Sequence, residues 1–250
     1  MKEDTGSGEY SLVRQHLGRN LTYGLQESLG RAIITGRYHD EPFPTEAELA
    51  KRYDVSRSVT REAVKMLSAK GLLAARPKQG TFIQPEERWN LFDTDVLRWM
   101  LDRPSSVELL RRFNELRISV EPQAAALAAQ RASDAQNEAI SEGLKQMMRA
   151  EEGLGEPLEA DIAFHVAVLR ASDNPFFIQF REVVATALRT SIRFTNKIAG
   201  RSASIADHAA VRDAIAARDP EGARAAMHRL IDDVLHLIET VEGEGDALTR

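Results

Sequence analysis

Cysteine is absent from the 250-residue chain, which excludes disulfide staples, thiolate metal sites and thiol nucleophiles and fits a reducing compartment. Also missing is any apolar run approaching the ~18–20 residues of a membrane span. The opening residues, MKEDTGSGEYS, contain no hydrophobic signal core. The expectation is a cytoplasmic chain without membrane contact, with a mobile arm over residues 1–20 and a mobile tail over 243–250. There is no internal repeat and no long low-complexity tract. With 43% hydrophobic residues a real core is expected, and the length suits one large or two modest domains.

Charge is scarce in net terms but unevenly placed. The chain is formally −5, yet Lys51 to Lys78 holds eight Lys or Arg against only Asp54 and Glu62. Residues 134–166 instead hold eight acids against Lys145 and Arg149, and 219–246 eight acids against Arg224 and Arg229. A basic front and an acidic rear imply two domains with different partners.

In the basic part, Leu25, Leu29, Ile33 and Ile34 recur at helical spacing, and Gly36 suits the position after a helix end. Thr45 and Glu48 form a T-x-x-E capping box that starts a second helix, ending near Tyr53. After a turn at Asp54 and Val55, Ser56 suits the N-cap of a third helix. That helix buries Val59 or Thr60, Ala63, Val64 and Leu67, and Gly71 stops it. So short a turn predicts a helix-turn-helix. LLAAR, the turn residues PKQG and TFI then read as a β-hairpin, which completes a winged helix-turn-helix. A recognition helix enters the major groove by its N-terminal end, and here that end offers Ser56, Arg57, Ser58 and Arg61. Arginine can grip a guanine edge or a phosphate. Lys65 and Lys70 lie further along the helix, and Lys78 and Gln79 sit at the hairpin tip. The bland alternative is a solvated basic face, which would not explain why capping box, turn and wing fall in register.

The stretch FPTEAELAKRYDVSRSVTREAVKMLSAKGLLAARPKQGTFI resembles the DNA-binding domain of GntR-family bacterial transcription regulators. The family pattern is approximately P-S-E-R-E-L-A, V-S-R-x-T-V-R-E-A and R-x-G-x-G-T-F-V. The resemblance puts Arg57 and Arg61 on the family's DNA-contacting arginines, Thr45, Ser56 and Ser58 on hydroxyl positions, and Gly80 and Thr81 on the wing. Ala47 replaces an arginine that often touches DNA, Lys78 replaces the first wing glycine, and Val59-Thr60 inverts a Thr-Val pair. These departures bear on the operator sequence.

Beyond Trp89 the signals are helical, giving six or seven helices over residues 103–242 and no convincing strand. Ser105 with Glu108 and Ser133 with Gln136 suit helix starts, and Pro122 predicts a kink. Asn174-Pro175 and Asp219-Pro220 each put proline at a first helical position. The last helix has an apolar seam at Ala223, Met227, Leu230, Val234, Leu237 and Val241. Asp161 and His165, at i and i+4, share a helix face, while His208 and Arg117 fall on other inward faces. Polar groups there are expensive unless something satisfies them. A hydrogen-bonded Asp–His pair is the bland account, and a metal site is the sharper one.

DIAFHVAVLRASDNP and DHAAVRDAIAARDPEGARAAM resemble the FCD effector domain of the FadR subfamily, in which an Asp and three His hold a divalent metal. The resemblance implies Asp161, His165 and His208 as ligands, with zinc the expected ion. Leu230 stands where the fourth histidine would lie, and His228 is about 200° away around the helix. The resemblance covers residues 22–242 and implies a homodimer on operator DNA. Segment 87–102 is expected as an interdomain linker, with Trp89, Leu91, Phe92 and Trp99 as a staple. Within it, RWNLFDTDVLRWML is similar to repressors of galactonate and related sugar-acid operons. The expected effector is therefore a small carboxylate, galactonate or a related aldonate. Its groups would meet Arg117, Asn174 and Arg193, unless Arg117 simply pairs with Glu121. The rival functions are a metal-dependent hydrolase and an architectural DNA binder without effector. Neither accounts for both the DNA module and the polar core.

Overall fold

The computed structural model describes residues 20–39, 41–77, 80–103, 107–199 and 204–248, with the side chains of 190–199 and 241–248 excepted. It divides into two units, the first ending at Arg103. The expected arm, the wing-tip residues Lys78 and Gln79, Ser105, and the side chain of Arg193 lie outside the described residues.

The first unit opens with α1 (Leu21–Ile34), whose Leu25, Leu29, Ile33 and Ile34 are buried as their spacing predicts. Gly36 follows with φ +78°, the left-handed conformation glycine adopts at no steric cost. The reciprocal Thr45–Glu48 box starts α2 (Glu46–Tyr53), and Asp54, left-handed at φ 50°, ends it. Ser56 accepts from the Val59 N–H and starts α3 (Arg57–Ala69). Of Val59 and Thr60, the threonine is the buried one, its hydroxyl donating to the Ser56 carbonyl. Two antiparallel strands follow, β1 (Leu73–Arg76) and β2 (Gly80–Ile83), with Leu73 opposite Ile83 and Arg76 opposite Gly80. The winged helix-turn-helix is complete.

The segment expected as a linker belongs to this unit. Asp93 caps α4 (Thr94–Leu101), which packs on α1. Trp99 lies flush against Gly30, where a Cβ would come within 2.3 Å of its ring. Trp99 is therefore a lid on α1. Trp89 donates to the Gln84 carbonyl, and Leu91 and Phe92 are exposed.

Glu27 joins α1 to α4, accepting from both Nη groups of Arg98, from Arg31 and from the Trp99 indole. Burial opposes its ionisation. The hydrogen bonds from Arg98, Arg31 and Trp99 outweigh that and hold its pKa at about 2, below its ordinary 4.5. A carboxylate depressed in the fold contributes stability that is full above about pH 4.5 and is lost as pH falls through 2. Glu27→Gln should lower stability at neutral pH by about 1 kcal/mol, the upper range for a solvent-screened pair. It should also flatten the acid limb of the stability curve. Urea unfolding of both proteins between pH 7 and pH 2 measures this, and parallel acid limbs would contradict it.

The second unit is all helix among its described residues. It comprises α5 (Val107–Arg131), α6 (Asp134–Glu151), α7 (Pro157–Ala171), α8 (Pro175–Ala199), α9 (Ile205–Ala216) and α10 (Pro220–Leu248). The helix α5 is assigned continuously through the buried Pro122 and packs along α10, with α7 and α9 beside it. Ser133 and Gln136 form the expected capping box of α6. The expected end of the unit at 242 falls within α10, which runs to Leu248, because Gly243 and Gly245 weaken a helix without ending it. Of its expected seam, Ala223, Met227 and Leu230 are buried and Val234 and Leu237 half-buried, with Ile231 and Ile238 fully buried beside them. The side chain of Val241 lies outside the described residues.

Candidate functional site

On α3, burial of Thr60, Ala63, Val64 and Leu67 turns the opposite face outward. Arg57, Arg61 and Lys65, spaced i, i+4 and i+8, form an exposed basic row there, with Ser58 beside it. Arg61 Nε lies 3.3 Å from Glu46 Oε2, and Lys65 Nζ is 2.8 Å from Glu62 Oε1. Both pairs are exposed and cost little to exchange for phosphate. Ser56 Oγ caps the helix and lies 2.8 Å from Ser58 Oγ, while the Thr45 hydroxyl is engaged by Glu48. On the wing, Gly80 has φ +81° with open space where a side chain would stand, so backbone can approach a groove there. Thr81 follows it on β2, opposite Ala75. One residue of the basic run is not part of this face. Lys70 is mostly buried, with Nζ 2.7 Å from Asp93 and 3.0 Å from Asp95.

The second site lies inside the helical unit. Asp161 and His165 project from α7 and His208 from α9, all three buried, and one ligand atom of each lies within 4.8 Å of the others. Hydrogen positions follow from the outer partners. His165 Nδ1 is 2.5 Å from Glu121 Oε2, and a carboxylate only accepts, so Nδ1 carries a proton, and in the neutral ring Nε2 is the bare nitrogen. His208 Nδ1 must likewise donate to the Ser204 carbonyl at 2.7 Å. The two Nε2 atoms, unprotonated in the neutral rings, face Asp161 Oδ1, at 3.8 Å from His165 and 2.8 Å from His208. The closer approach is not a hydrogen bond: Asp161 Oδ1 and His208 Nε2 are both buried without a hydrogen-bond partner. Three electron-pair donors turned toward one another are what a cation resolves.

The donors fit one. Metal–ligand bonds of about 2.0–2.1 Å limit two ligand atoms to about 4.2 Å apart; both Asp161 distances fall inside that, and the three ligand atoms lie within 4.8 Å of one another. Two imidazoles and a carboxylate suit zinc and other first-row divalent ions. His228 is exposed on α10 and does not join the site, and Leu230 is buried in the apolar core.

Arg117 reaches the site without the free fork expected of it. Its Nε donates to Glu121 Oε1 at 2.6 Å, with Nη2 3.5 Å from Oε2, and Nη1 donates to Asn114 at 2.9 Å. Nη2 also lies 3.4 Å from both ring nitrogens of His165. Asn174 caps α8, accepting from the Phe176 N–H. Sequence reasoning missed Asn114 and treated Glu121 only as a partner for Arg117. Their spacing, i, i+3 and i+7 on the inward face of α5, was the available signal.

Fold and site together define a two-part DNA-binding regulator: a winged helix followed by a helical domain built around a buried, metal-compatible polar centre. Residues 22–83 match the model of bacterial regulatory proteins of the gntR family, and 113–233 match the FCD domain. The chain belongs to the gntR family and carries an FCD domain; it is a transcription regulator. It is 33% identical over 215 residues to the galactonate operon transcriptional repressor of Escherichia coli (strain K12), covering 85% of this chain and 94% of that protein. It is 30% identical over 195 residues to a putative L-lactate dehydrogenase operon regulatory protein of the same organism, covering 74% and 72%. A solved structure of Lar, which controls expression of the Listeria monocytogenes agr system, shares the fold. Its TM-score is 0.53 at 17% identity, over 89% of this chain and 98% of that one. No helix among the described residues is long and apolar enough to cross a membrane.

Proposed function

We propose that this regulator is a homodimeric repressor of an operon for a sugar acid or related small hydroxy acid, and that the acid itself is the effector. The observation that carries the reading is the buried convergence of Asp161 Oδ1 with the Nε2 atoms of His165 and His208. These three residues would hold a divalent ion, zinc being best suited, whose remaining coordination positions accept oxygen donors. A 2-hydroxy acid offers a carboxylate and a neighbouring hydroxyl to such positions. Galactonate and lactate, named for the operons of two relatives, are both 2-hydroxy acids. Arg117 adds positive charge behind the site while remaining paired with Glu121. Asn174 and Arg193 are candidates for the sugar hydroxyls. In the other domain, the Arg57–Arg61–Lys65 row and Ser58 enter the major groove and the Gly80–Thr81 wing meets the adjacent backbone, with Lys78 and Gln79 as further contacts. Two-fold symmetry of the dimer requires operator half-sites related by a dyad.

Calorimetry with zinc-loaded protein tests the effector, using galactonate, other aldonates, uronates, lactate and a fatty acyl compound, with operator affinity read in parallel. One acid of the hydroxy class should bind, lose its binding after chelation, and change operator affinity at least ~5-fold, the low end of ordinary allosteric coupling. Binding of the fatty acyl compound alone, or hydroxy-acid binding indifferent to chelation, would remove this reading. Light scattering that finds only monomer, free and on DNA, would remove the dimer.

A further inference from the structure

The two imidazoles of the buried centre are anchored differently. His208 donates its Nδ1 proton to a neutral backbone carbonyl, that of Ser204. His165 donates to a carboxylate, Glu121, which is fully buried and has its own fixed partner. Arg117 donates to Glu121, and to Asn114 as well; Asn114 in turn donates to the Leu110 carbonyl. Four polar links thus run along one face of α5 and end on a single ring nitrogen.

Such an arrangement is a costly way to fill a core. Each buried ion loses several kcal/mol of hydration, and well-packed apolar residues often replace such pairs without loss. Stability alone therefore gives weak reason for Arg117 and Glu121. What Glu121 does control is where the His165 proton sits. A neutral imidazole left to itself favours the proton on Nε2. Here that proton would point toward Asp161 Oδ1, 3.8 Å away, and take up the lone pair that faces the other two donors. An ionised acceptor on Nδ1 reverses the choice. Arg117 is the fixed counter-charge that favours the ionised form, its Nε donating to Glu121 Oε1 at 2.6 Å.

We propose that Glu121 is a positioning residue that locks His165 into the tautomer with Nε2 bare, with Arg117 as its counter-charge. In this arrangement, metal affinity is set in part by a face of α5 that never touches the ion. The proposal rests on the reading of Asp161, His165 and His208 as metal ligands. A carboxylate behind a ligating histidine also raises the basicity of the ring, so losing its charge should weaken the bond even if the ring keeps its place.

The test uses the full chain. Zinc affinity is measured by competition with a chromophoric chelator, and cobalt(II) is added to read the ligand field from its visible absorption. Glu121→Gln, nearly equal in volume, should bind zinc about 10–100-fold more weakly, the usual cost of losing an outer partner. Its cobalt spectrum should shift, which a merely structural role would not produce. A second measurement needs no variant. The ¹⁵N shifts of the His165 ring in metal-free wild type should show a protonated Nδ1 and a bare Nε2. Wild-type zinc affinity and cobalt spectrum preserved in a folded Glu121→Gln would overturn the proposal while leaving the metal site standing. So would an Nε2-protonated His165 in the wild type. Wild type that binds neither zinc nor cobalt would instead remove the metal site, and the proposal with it.

Discussion

An Arg57→Ala,Arg61→Ala variant is expected to lose about 2–6 kcal/mol of operator affinity, from about 1–3 for each base-reading arginine. The loss is therefore at least roughly 30-fold. Both side chains are exposed, and the ion pair of Arg61 with Glu46 is exposed as well. The fold should survive, and circular dichroism checks that it does. Salt separates the two kinds of contact. An arginine that grips phosphate lowers the slope of log affinity against log salt by about one unit when it is removed; one that reads a base lowers the preference for operator over random duplex. Fluorescence anisotropy with both duplexes across a salt series gives both quantities. If the variant binds the operator as the wild type does, α3 is not the reading helix. Lys70→Ala should behave differently from either arginine. Its ammonium is committed to Asp93 and Asp95, so its loss should act through the stability of the first unit.

Removing the two histidines should have the second large effect. In His165→Ala,His208→Ala, two of three ligands are gone, and elemental analysis should find about one divalent ion fewer per chain than in the wild type. The same loss appears in stability. An ion that binds only the folded state stabilises it by about 2.7 kcal/mol at a hundred times its dissociation constant. For a unit of this size that is about 5–10 °C of melting temperature. Wild-type protein loaded with zinc should lose that increment when a chelator is added, and the double variant should be indifferent to both. Equal metal content in the two proteins would dismiss the site.

How much of this was legible beforehand depended on how local each signal was. The helix starts at Thr45, Ser56 and Ser133 were readable because a cap is satisfied within three residues. Asp161 and His165 were readable as a pair because α7 sets both on one side. His208 fell on an inward face of its own helix, but its closeness to Asp161 is made by the packing of α9, and only the family resemblance implied it. Lys70 counted as one more positive charge because its partners, Asp93 and Asp95, lie more than twenty residues away on another element. Trp99 was misplaced for a similar reason. The clue was Gly30, a glycine inside a well-formed helix, which says that something must approach α1 closely but not what.

The helix α3 is seated in its domain by Thr60, Ala63, Val64 and Leu67. Its last residues are also tied down by Lys70, through Asp93 and Asp95 and through the Asn90 N–H that donates to the Lys70 carbonyl. Ser56, Arg57 and Ser58 stand exposed at the other end. The helix therefore turns with the body of its domain. Its 13 residues span about 20 Å at 1.5 Å each, so a turn of that body by about 5° about the Lys70 end sweeps the exposed tip by about 1.7 Å. That is over half the length of a hydrogen bond. The arginines that would touch a base edge thus stand where a small rotation is felt most, and the anchoring acids stand where it is felt least.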